Sequence, residues 1–154
     1  MEMENNRKVG IGAIVFYNNK VLLVKNTYGA AKGKYVIPGG GMEPYEMPGA
    51  TLEREIFEET SVIVKTQEMI GIRFTTNAIW CVFRADYISG DPKPDNTEND
   101  SAIFMDINQA LGSDEVIQTS KILIKSLLND RKGLFNKSDF VNPRFQKNEW
   151  QLYI

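Results

Sequence analysis

A run of three glycines at residues 39–41 is followed by a cluster of glutamates, Glu55, Glu58 and Glu59. A proline and then mostly good helix formers predict a helix over residues 48–60. At about 100° per residue, the three carboxylates share one face of this helix. Carboxylate oxygens are ligands that Mg²⁺ and Mn²⁺ prefer, so this face is a candidate site for a divalent cation.

This spacing of glutamates has a cost in water. Glu55 lies at i,i+3 and i,i+4 from Glu58 and Glu59, where like charges destabilise a helix by roughly 0.2–0.5 kcal/mol per pair. The latter two also lie near the helix C-terminus, where the helix dipole disfavours negative charge. A solvated acidic face is the ordinary explanation of a Glu-rich helix. It does not account for a cluster that directly follows three glycines.

The composition removes several kinds of chemistry. The chain has no histidine, which excludes Ser-His-Asp and Cys-His schemes, imidazole zinc sites and a histidine general base. Its single cysteine, Cys81, lies in an apolar run that predicts a buried strand, so an inert core thiol is favoured over a nucleophile. The formal net charge of -2 argues against a nucleic-acid partner, because proteins that bind nucleic acids usually present a basic surface.

The length and the termini bear on organisation and location. A chain of 154 residues fits one domain with its own hydrophobic core, predicted here over residues 1–154. The N-terminus has no apolar stretch of the kind that a secretory signal requires, and no later segment approaches a membrane-spanning length. We therefore expect a cytoplasmic protein with no membrane partner.

The hydrophobic pattern predicts an α+β fold. Apolar or alternating runs predict strands at residues 8–16, 20–25, 62–75, 78–88 and 101–107. Asn18 and Asn19 tolerate positive φ, so they predict a hairpin between the first two strands. The three glycines are expected to form a loop, and a short helix and a longer amphipathic helix follow the last strand. No element is predicted for the tail, residues 131–154.

The residues around the acidic helix resemble the motif of the Nudix hydrolases, G-x5-E-x7-R-E-U-x-E-E-x-G-U, with U an aliphatic residue. Eight of its nine defined positions match, at Gly40, Glu46, Arg54, Glu55, Ile56, Glu58, Glu59 and Val62. A match over this span is far more specific than a lone glycine motif. The resemblance implies a Nudix-type α/β/α sandwich with a mixed central sheet.

One position departs from the pattern, because Ser61 stands where the family usually has glycine. Glycine there would suit a left-handed helix C-cap, and serine costs about 1 kcal/mol in that conformation. We expect an altered helix exit and no lost metal ligand.

The resemblance implies roles for the acidic helix. Glu55, Glu58 and Glu59 would be catalytic ligands of Mg²⁺ or Mn²⁺, with the carbonyl oxygen of Gly40 as a further ligand. Arg54 would orient one of these carboxylates, although an ordinary helix ion pair with Glu58 explains it equally well.

Roles are also implied for residues outside that helix face. The backbone of Gly39, Gly40 and Gly41 would approach the phosphates of the substrate. Glu46 would contribute to substrate binding by supporting the loop-helix junction or an outer-shell water, and a favourable charge before the helix N-terminus is the alternative. Glu98 lies in a polar loop where family members often present an acidic catalytic residue, and a merely solvated charge is the alternative.

The implied reaction is attack of a metal-activated water on a pyrophosphate phosphorus. The substrate would be a small-molecule nucleoside diphosphate linked to another moiety, of the ADP-ribose, nucleotide-sugar, dinucleoside polyphosphate or nucleoside triphosphate type. Four aromatic residues could stack on a base, although the core is favoured for strand aromatics: Tyr35, Phe74, Trp80 and Phe83. The resemblance leaves open assembly as a homodimer.

Two other functions are compatible with a Nudix-like fold. A catalytically weak nucleotide-binding or sensor domain would have no use for so costly a glutamate cluster. An isopentenyl diphosphate isomerase would need histidine metal ligands, which this chain lacks.

Overall fold

A computed structural model of the chain describes residues 7–129, 138–146 and 149–154. The strands in these residues are β1 Lys8–Tyr17, β2 Lys20–Asn26, β3 Tyr35–Val36, β4 Gly39–Gly41, β5 Ile63–Thr75, β6 Ala78–Ser89, β7 Asn99–Asp106 and β8 Trp150–Tyr153. The helices are α1 Pro48–Thr60, α2 Ile107–Gly112 and α3 Gln118–Leu128.

The strands form one mixed sheet. Its main path runs β3-β2-β1-β6-β5-β8, with β4 paired to β1 and β7 paired to β2. The β1–β6 pair is parallel, and every other pair within the described residues is antiparallel. The predicted α+β class with a mixed sheet is therefore confirmed.

Hydrophobic residues cover both faces of the sheet. Leu52 and Ile56 of α1 are fully buried against one face, and Leu123 and Ile124 of α3 are fully buried against the other. Because side chains alternate along a strand, β1 contributes Ile11 to the α1 side and Ile14 to the α3 side. The glutamates of α1 and the N-terminus of α3 consequently lie on opposite sides of the sheet.

The local predictions around the first hairpin and α1 are confirmed. Asn18 and Asn19 connect β1 and β2 with φ of 48° and 59°, the positive values that asparagine tolerates. Helix α1 has the predicted bounds, with proline in its first turn.

The expectation that the three glycines form a loop is wrong. Gly39, Gly40 and Gly41 form β4, which pairs with residues 10–12 of β1. A Cβ at Gly39 would lie 2.1 Å from the carbonyl oxygen of Ile11, so a larger residue could not pack there. The glycines therefore permit a backbone contact between strands.

The single cysteine and most of the candidate stacking aromatics face the core. Tyr35, Trp80 and Phe83 are partly buried against the two hydrophobic clusters. Cys81 is also partly buried, and burial raises the pKa of its thiol, which disfavours the reactive thiolate. The arrangement agrees with an inert thiol.

Strand β8 was not predicted from the sequence. It pairs antiparallel with residues 72–75 of β5 at the edge of the sheet. The tail that precedes it lies partly outside the described residues, at positions 130–137 and 147–148.

Ser61 has the left-handed conformation that its position in the motif predicts, with φ 60° and ψ 11°. Its backbone N–H donates to the carbonyl oxygen of Phe57 at 2.8 Å and closes the last turn of α1. The expectation of an altered helix exit is therefore wrong, because Ser61 adopts the left-handed cap that suits glycine and bears the steric cost.

We expect Ser61→Gly to raise the free energy of unfolding by about 0.5–1 kcal/mol, because glycine relieves this cost. Chemical denaturation of the two proteins would measure the difference. Ser113 is a matched control, since it caps α2 with an ordinary φ of -85°. Ser113→Gly should destabilise the protein slightly, and an equal loss in both variants would contradict the prediction.

Candidate active site

Helix α1 presents its glutamates at three different depths. Glu59 is buried, with 7% of the residue exposed. The Glu55 side chain is 14% exposed and that of Glu58 is 57% exposed. The predicted acidic face is therefore not uniformly solvated, because Glu59 is buried, Glu55 is partly buried and Glu58 is exposed.

The Glu55 carboxylate packs directly against Gly40. A Cβ at Gly40 would lie 2.2 Å from the Cδ atom of Glu55 and 2.3 Å from its Oε2 atom. Any side chain at this position would displace the carboxylate. The structure thus brings together two of the residues predicted as metal ligands.

Glu59 is held by the same strand. Its Oε2 atom accepts a hydrogen bond from the backbone N–H of Gly39 at 3.0 Å. Burial raises the pKa of Glu59 from 4.5 to about 8; the Gly39 hydrogen bond opposes the shift, and negative charge on Glu55, Glu98 and Asp95 adds to it. Burial also raises the pKa of Glu55, despite its contact with Arg54.

Arg54 links the carboxylates of α1 to the segment before the helix. Its Nη1 donates to Glu55 Oε1 at 2.8 Å and to Glu58 Oε2 at 3.2 Å. Its Nε and Nη2 donate to the two oxygens of Glu46 at 2.7 and 2.9 Å, a bidentate geometry. Arg54 therefore has both of the contacts that the sequence left as alternatives.

The Glu46 carboxylate is engaged by donors of the protein. Besides Arg54, its Oε2 accepts from the Thr51 hydroxyl at 2.8 Å and from the Glu43 N–H at 3.1 Å. The Arg54 hydrogen bond is the main cause that lowers the pKa of Glu46 to about 2. These contacts favour a role in positioning Arg54 over a direct contact with substrate.

Glu98 lies on a structured loop beside this cluster. Asp95 Oδ1 accepts hydrogen bonds from the N–H groups of Thr97, Glu98 and Asn99 at 2.9–3.0 Å. The Glu98 carbonyl accepts from the N–H and the hydroxyl of Thr27, which ties the loop to the end of β2. The charge of Glu98 contributes to the raised pKa of both Glu55 and Glu59, so its carboxylate lies within electrostatic range of both.

Two residues near the site were missed by the sequence reasoning. Burial and the charges of Glu98, Glu59 and Glu55 raise the pKa of Tyr28, which places its hydroxyl near the cluster. Asn99 donates from Nδ2 to the backbone carbonyl of Glu59, and its buried Oδ1 has no hydrogen-bond partner among the residues that the structure describes. A tyrosine within a glycine-containing loop was the only signal for the first, because functional residues concentrate on loops.

The glutamates do not form a ready-made metal cage. Within residues 7–129, 138–146 and 149–154, no three Asp, Glu or Cys side chains have an arrangement that could hold a metal ion. Glu55 and Glu59 lie against β4, whereas Glu58 is turned toward Arg54. The assignment of all three as ligands stays a prediction.

The donor set nevertheless fits a hard divalent cation. Carboxylate oxygens of Glu55 and Glu59 lie beside the backbone of Gly40 and Gly39, and burial, with a smaller effect of neighbouring negative charges, raises the pKa of both acids. Glu58 could join them by a rotamer change, since an exposed ion pair contributes only about 0–1 kcal/mol.

No helix in the described part of the chain is long and apolar enough to cross a membrane.

Comparison with known proteins bears on both fold and family. The sequence profile of the NUDIX domain matches residues 6–126. An ADP-ribose pyrophosphatase from Methanocaldococcus jannaschii is 32% identical, over 65% of this chain and 62% of that protein. The human diphosphoinositol polyphosphate phosphohydrolase 3-alpha is 39% identical, over 35% of this chain and 32% of that protein. The chain thus spans less than two thirds of either relative.

Solved structures agree with this comparison. A MutT NUDIX hydrolase from Burkholderia pseudomallei superposes with a TM-score of 0.70 at 18% identity, covering 79% of this chain and 98% of that one. A NUDIX hydrolase from Nitrosomonas europaea gives a TM-score of 0.63 at 26% identity, covering 79% and 68%. The profile match, the fold and the placement of the glutamates beside the glycine strand show that the chain belongs to the Nudix family.

Proposed function

We propose that the protein hydrolyses the pyrophosphate bond of a nucleoside diphosphate linked to another moiety, with Mg²⁺ or Mn²⁺ as cofactor. The observation that carries the proposal is the pair of carboxylates, buried Glu59 and partly buried Glu55, packed on the backbone of Gly39 and Gly40. Acids with raised pKa values in such positions cost stability, which suggests a functional use.

A divalent ion bound here would lower the pKa of a water and neutralise charge on the phosphates. Nudix hydrolases generally use divalent metal ions. Glu55, Glu58, Glu59 and the Gly40 carbonyl are the residues that would hold it.

The other residues position this set. Arg54, clamped by Glu46, fixes the direction of the Glu55 carboxylate. The absence of a side chain at Gly40 lets the Glu55 carboxylate pack directly against the β4 backbone. Glu98 is a candidate general base, because it lies near the cluster on a loop held by Asp95.

The relatives support the reaction class more closely than the substrate. The proteins named above are an ADP-ribose pyrophosphatase and a diphosphoinositol polyphosphate phosphohydrolase, which share hydrolysis of a phosphoric anhydride. The former covers more of this chain, so ADP-ribose is the first compound to test.

A panel of ADP-ribose, a nucleotide sugar, a dinucleoside polyphosphate and a nucleoside triphosphate, assayed with Mg²⁺ or Mn²⁺, would test the proposal. We expect turnover of at least one compound and a loss of at least ~100-fold in kcat for Glu58→Gln. Product release would be followed by phosphate analysis or chromatography.

Glu68→Gln is the matched control, because Glu68 is equally exposed, at 57%, and also pairs with an arginine, Arg84. It should have the activity of the wild type. Turnover of no compound would contradict the hydrolase proposal, and tight binding without turnover would favour the sensor function.

A further inference from the structure

Arg73 of β5 is a partly buried arginine that has no counter-ion in the described part of the chain. Its side chain lies on the α3 side of the sheet, where the register places Trp80 of β6 opposite it. Its Nε atom is buried and has no hydrogen-bond partner among the residues that the structure describes. No ion pair within those residues includes Arg73, and burial lowers the pKa of its guanidinium. The positive charge is therefore partly desolvated without a neighbouring negative charge.

Two other partly buried arginines are balanced in a different way. Arg54 and Arg84 each contact at least two carboxylates. Arg73 has an aromatic ring instead, because its Cζ atom lies 4.5 Å from the centroid of the Trp80 ring. A cation–π contact offsets only part of the cost of burying a charge. The guanidinium of this pair, the Arg73–Trp80 stack, is therefore available to an anion.

Two glycines of β1 make room for Trp80. A Cβ at Gly12 would lie 2.3 Å from the indole Cζ2 atom, and a Cβ at Gly10 would lie 2.9 Å from its Cδ1 atom. A side chain at either position would displace the ring on which Arg73 lies. Glycine weakens the interior of a strand, so its presence at both positions has a cost in stability. The sequence of β1 thus permits the indole to pack on the sheet beneath Arg73.

The stack borders the candidate active site through Gly10. The Cβ position at Gly10 lies 3.6 Å from the Gly40 carbonyl oxygen as well as 2.9 Å from Trp80 Cδ1, so that oxygen and the indole are at most 6.5 Å apart. Gly40 also packs against the Glu55 carboxylate. A nucleoside diphosphate derivative is longer than this separation. One molecule can therefore contact both the carboxylate centre and the stack.

We propose that the Arg73–Trp80 stack binds a phosphate group of the compound hydrolysed at the carboxylate centre. The guanidinium donates N–H groups to the phosphate oxygens from one edge of its plane, and the indole holds that plane in position. A phosphate is favoured over a neutral base, because only an anion compensates the charge of Arg73. The identity of the compound rests on the proposed function, whereas phosphate binding by the stack requires no hydrolysis.

Fluorescence titration of the full chain with inorganic phosphate tests the stack. The chain has two tryptophans, so Trp150→Phe leaves Trp80 as the reporter. The sample contains EDTA, and NaCl is adjusted to hold the ionic strength constant. We expect a saturable change in the Trp80 emission. Arg73→Met should raise the Kd at least ~10-fold, because charge-assisted contacts are lost while the aliphatic part of the side chain is kept. Calorimetric titration of proteins that retain Trp150 gives the same Kd independently.

The stability of the ligand-free protein separates a binding role from a packing role. Loss of an unpaired and partly buried charge should leave the denaturation midpoint of Arg73→Met unchanged or raise it. A lower midpoint with an unchanged Kd would show that Arg73 only packs on Trp80, and would overturn the proposal. Arg73→Lys is a second variant, which keeps the charge but loses the planar fork. It should also raise the Kd.

Arg84→Met is the matched control. Arg84 lies four residues after Trp80 in β6 and thus on the same face of the sheet, but it is paired with Glu68. This variant should leave the Kd for phosphate unchanged. An equal rise of the Kd in Arg73→Met and Arg84→Met would show a general effect of charge. That result, or emission that does not saturate, would overturn the proposal.

Kinetics then tests whether the phosphate belongs to the substrate. With a compound that the wild type hydrolyses, Arg73→Met should raise KM at least ~10-fold and change kcat by less than ~3-fold. An unchanged KM, with phosphate binding lost, would place the anion on a separate molecule and overturn the assignment to the substrate. Absence of turnover for every compound would contradict the proposed function alone, because the titration in EDTA does not depend on it.

Discussion

Glu59→Gln should lower kcat for pyrophosphate hydrolysis by at least ~10³-fold and remove a pH-dependent loss of stability from the metal-free protein. The activity should fall because the buried carboxylate is a predicted metal ligand that an amide replaces poorly. The stability effect follows from the pKa of Glu59, which burial raises from 4.5 to about 8.

The sign of this effect is set by the two pKa values. Between pH 4.5 and 8 the folded protein keeps the proton of Glu59, whereas the unfolded chain releases it. The free energy of unfolding therefore decreases as the pH rises through this range, by up to about 1.4 kcal/mol per pH unit. The loss is complete above pH 8, and a bound divalent cation would oppose it.

Denaturation of wild type and Glu59→Gln at several pH values in EDTA would measure, for each protein, how the free energy of unfolding changes with pH. The slope attributed to Glu59 should be absent from the variant and should persist in Glu68→Gln, because Arg84 lowers the pKa of Glu68. Equal slopes in all three proteins, or full activity of Glu59→Gln, would show that this carboxylate has neither property.

Alanine at each of the three consecutive glycines should have a different effect. Gly39→Ala should lower the free energy of unfolding by about 3 kcal/mol or more, because its Cβ would meet the Ile11 backbone at 2.1 Å. Gly40→Ala should mainly lower kcat, by ~100-fold or more, because its Cβ would displace the Glu55 carboxylate. The side chain of Glu55 can move, so the protein should still fold.

Gly41→Ala is the control within the same strand. No atom lies within 4 Å of a Cβ at Gly41, so its stability should stay within about 0.5 kcal/mol of the wild type. Thermal denaturation and kcat would be measured for all three variants. Similar losses at Gly40 and Gly41 would contradict the proposed contact between Gly40 and Glu55.

The elements that the sequence predicted well depend on local signals. Helix α1 has proline at its start and a left-handed residue at its end, and the first hairpin has two asparagines that accept positive φ. Such signals act within a few residues. Strand β4 has none, because it is defined by pairing with residues 10–12, far away along the chain. Three glycines therefore suggested a loop.

The candidate site also combines features that local sequence signals predict with features that only the fold determines. The spacing of Glu55, Glu58 and Glu59 on one helix could be read from the sequence, whereas their different depths could not. Glu98 and Tyr28 come near the cluster through the antiparallel pairing of β7 with β2 and through the hydrogen bonds of Thr27. No pattern along the chain encodes this proximity.

A cavity of about 300 Å³ beside the start of α3 depends on tertiary structure alone. Ile117 has no capping signature, and the tail has no periodic pattern, so neither predicted a cavity at this place. Only the folded chain brings Arg144 and Lys34 to the same helix terminus.

The contacts of Arg54 affect the net charge of the carboxylate cluster at the candidate active site. One guanidinium lies within 4.0 Å of four carboxylates, those of Glu43, Glu46, Glu55 and Glu58, so their negative charge exceeds the single positive charge of Arg54. Below pH 8 Glu59 adds little, because it is mostly protonated. Arg54 thus acts as an internal counter-ion that offsets part of the repulsion among these carboxylates, and the negative charge that remains would attract a divalent cation.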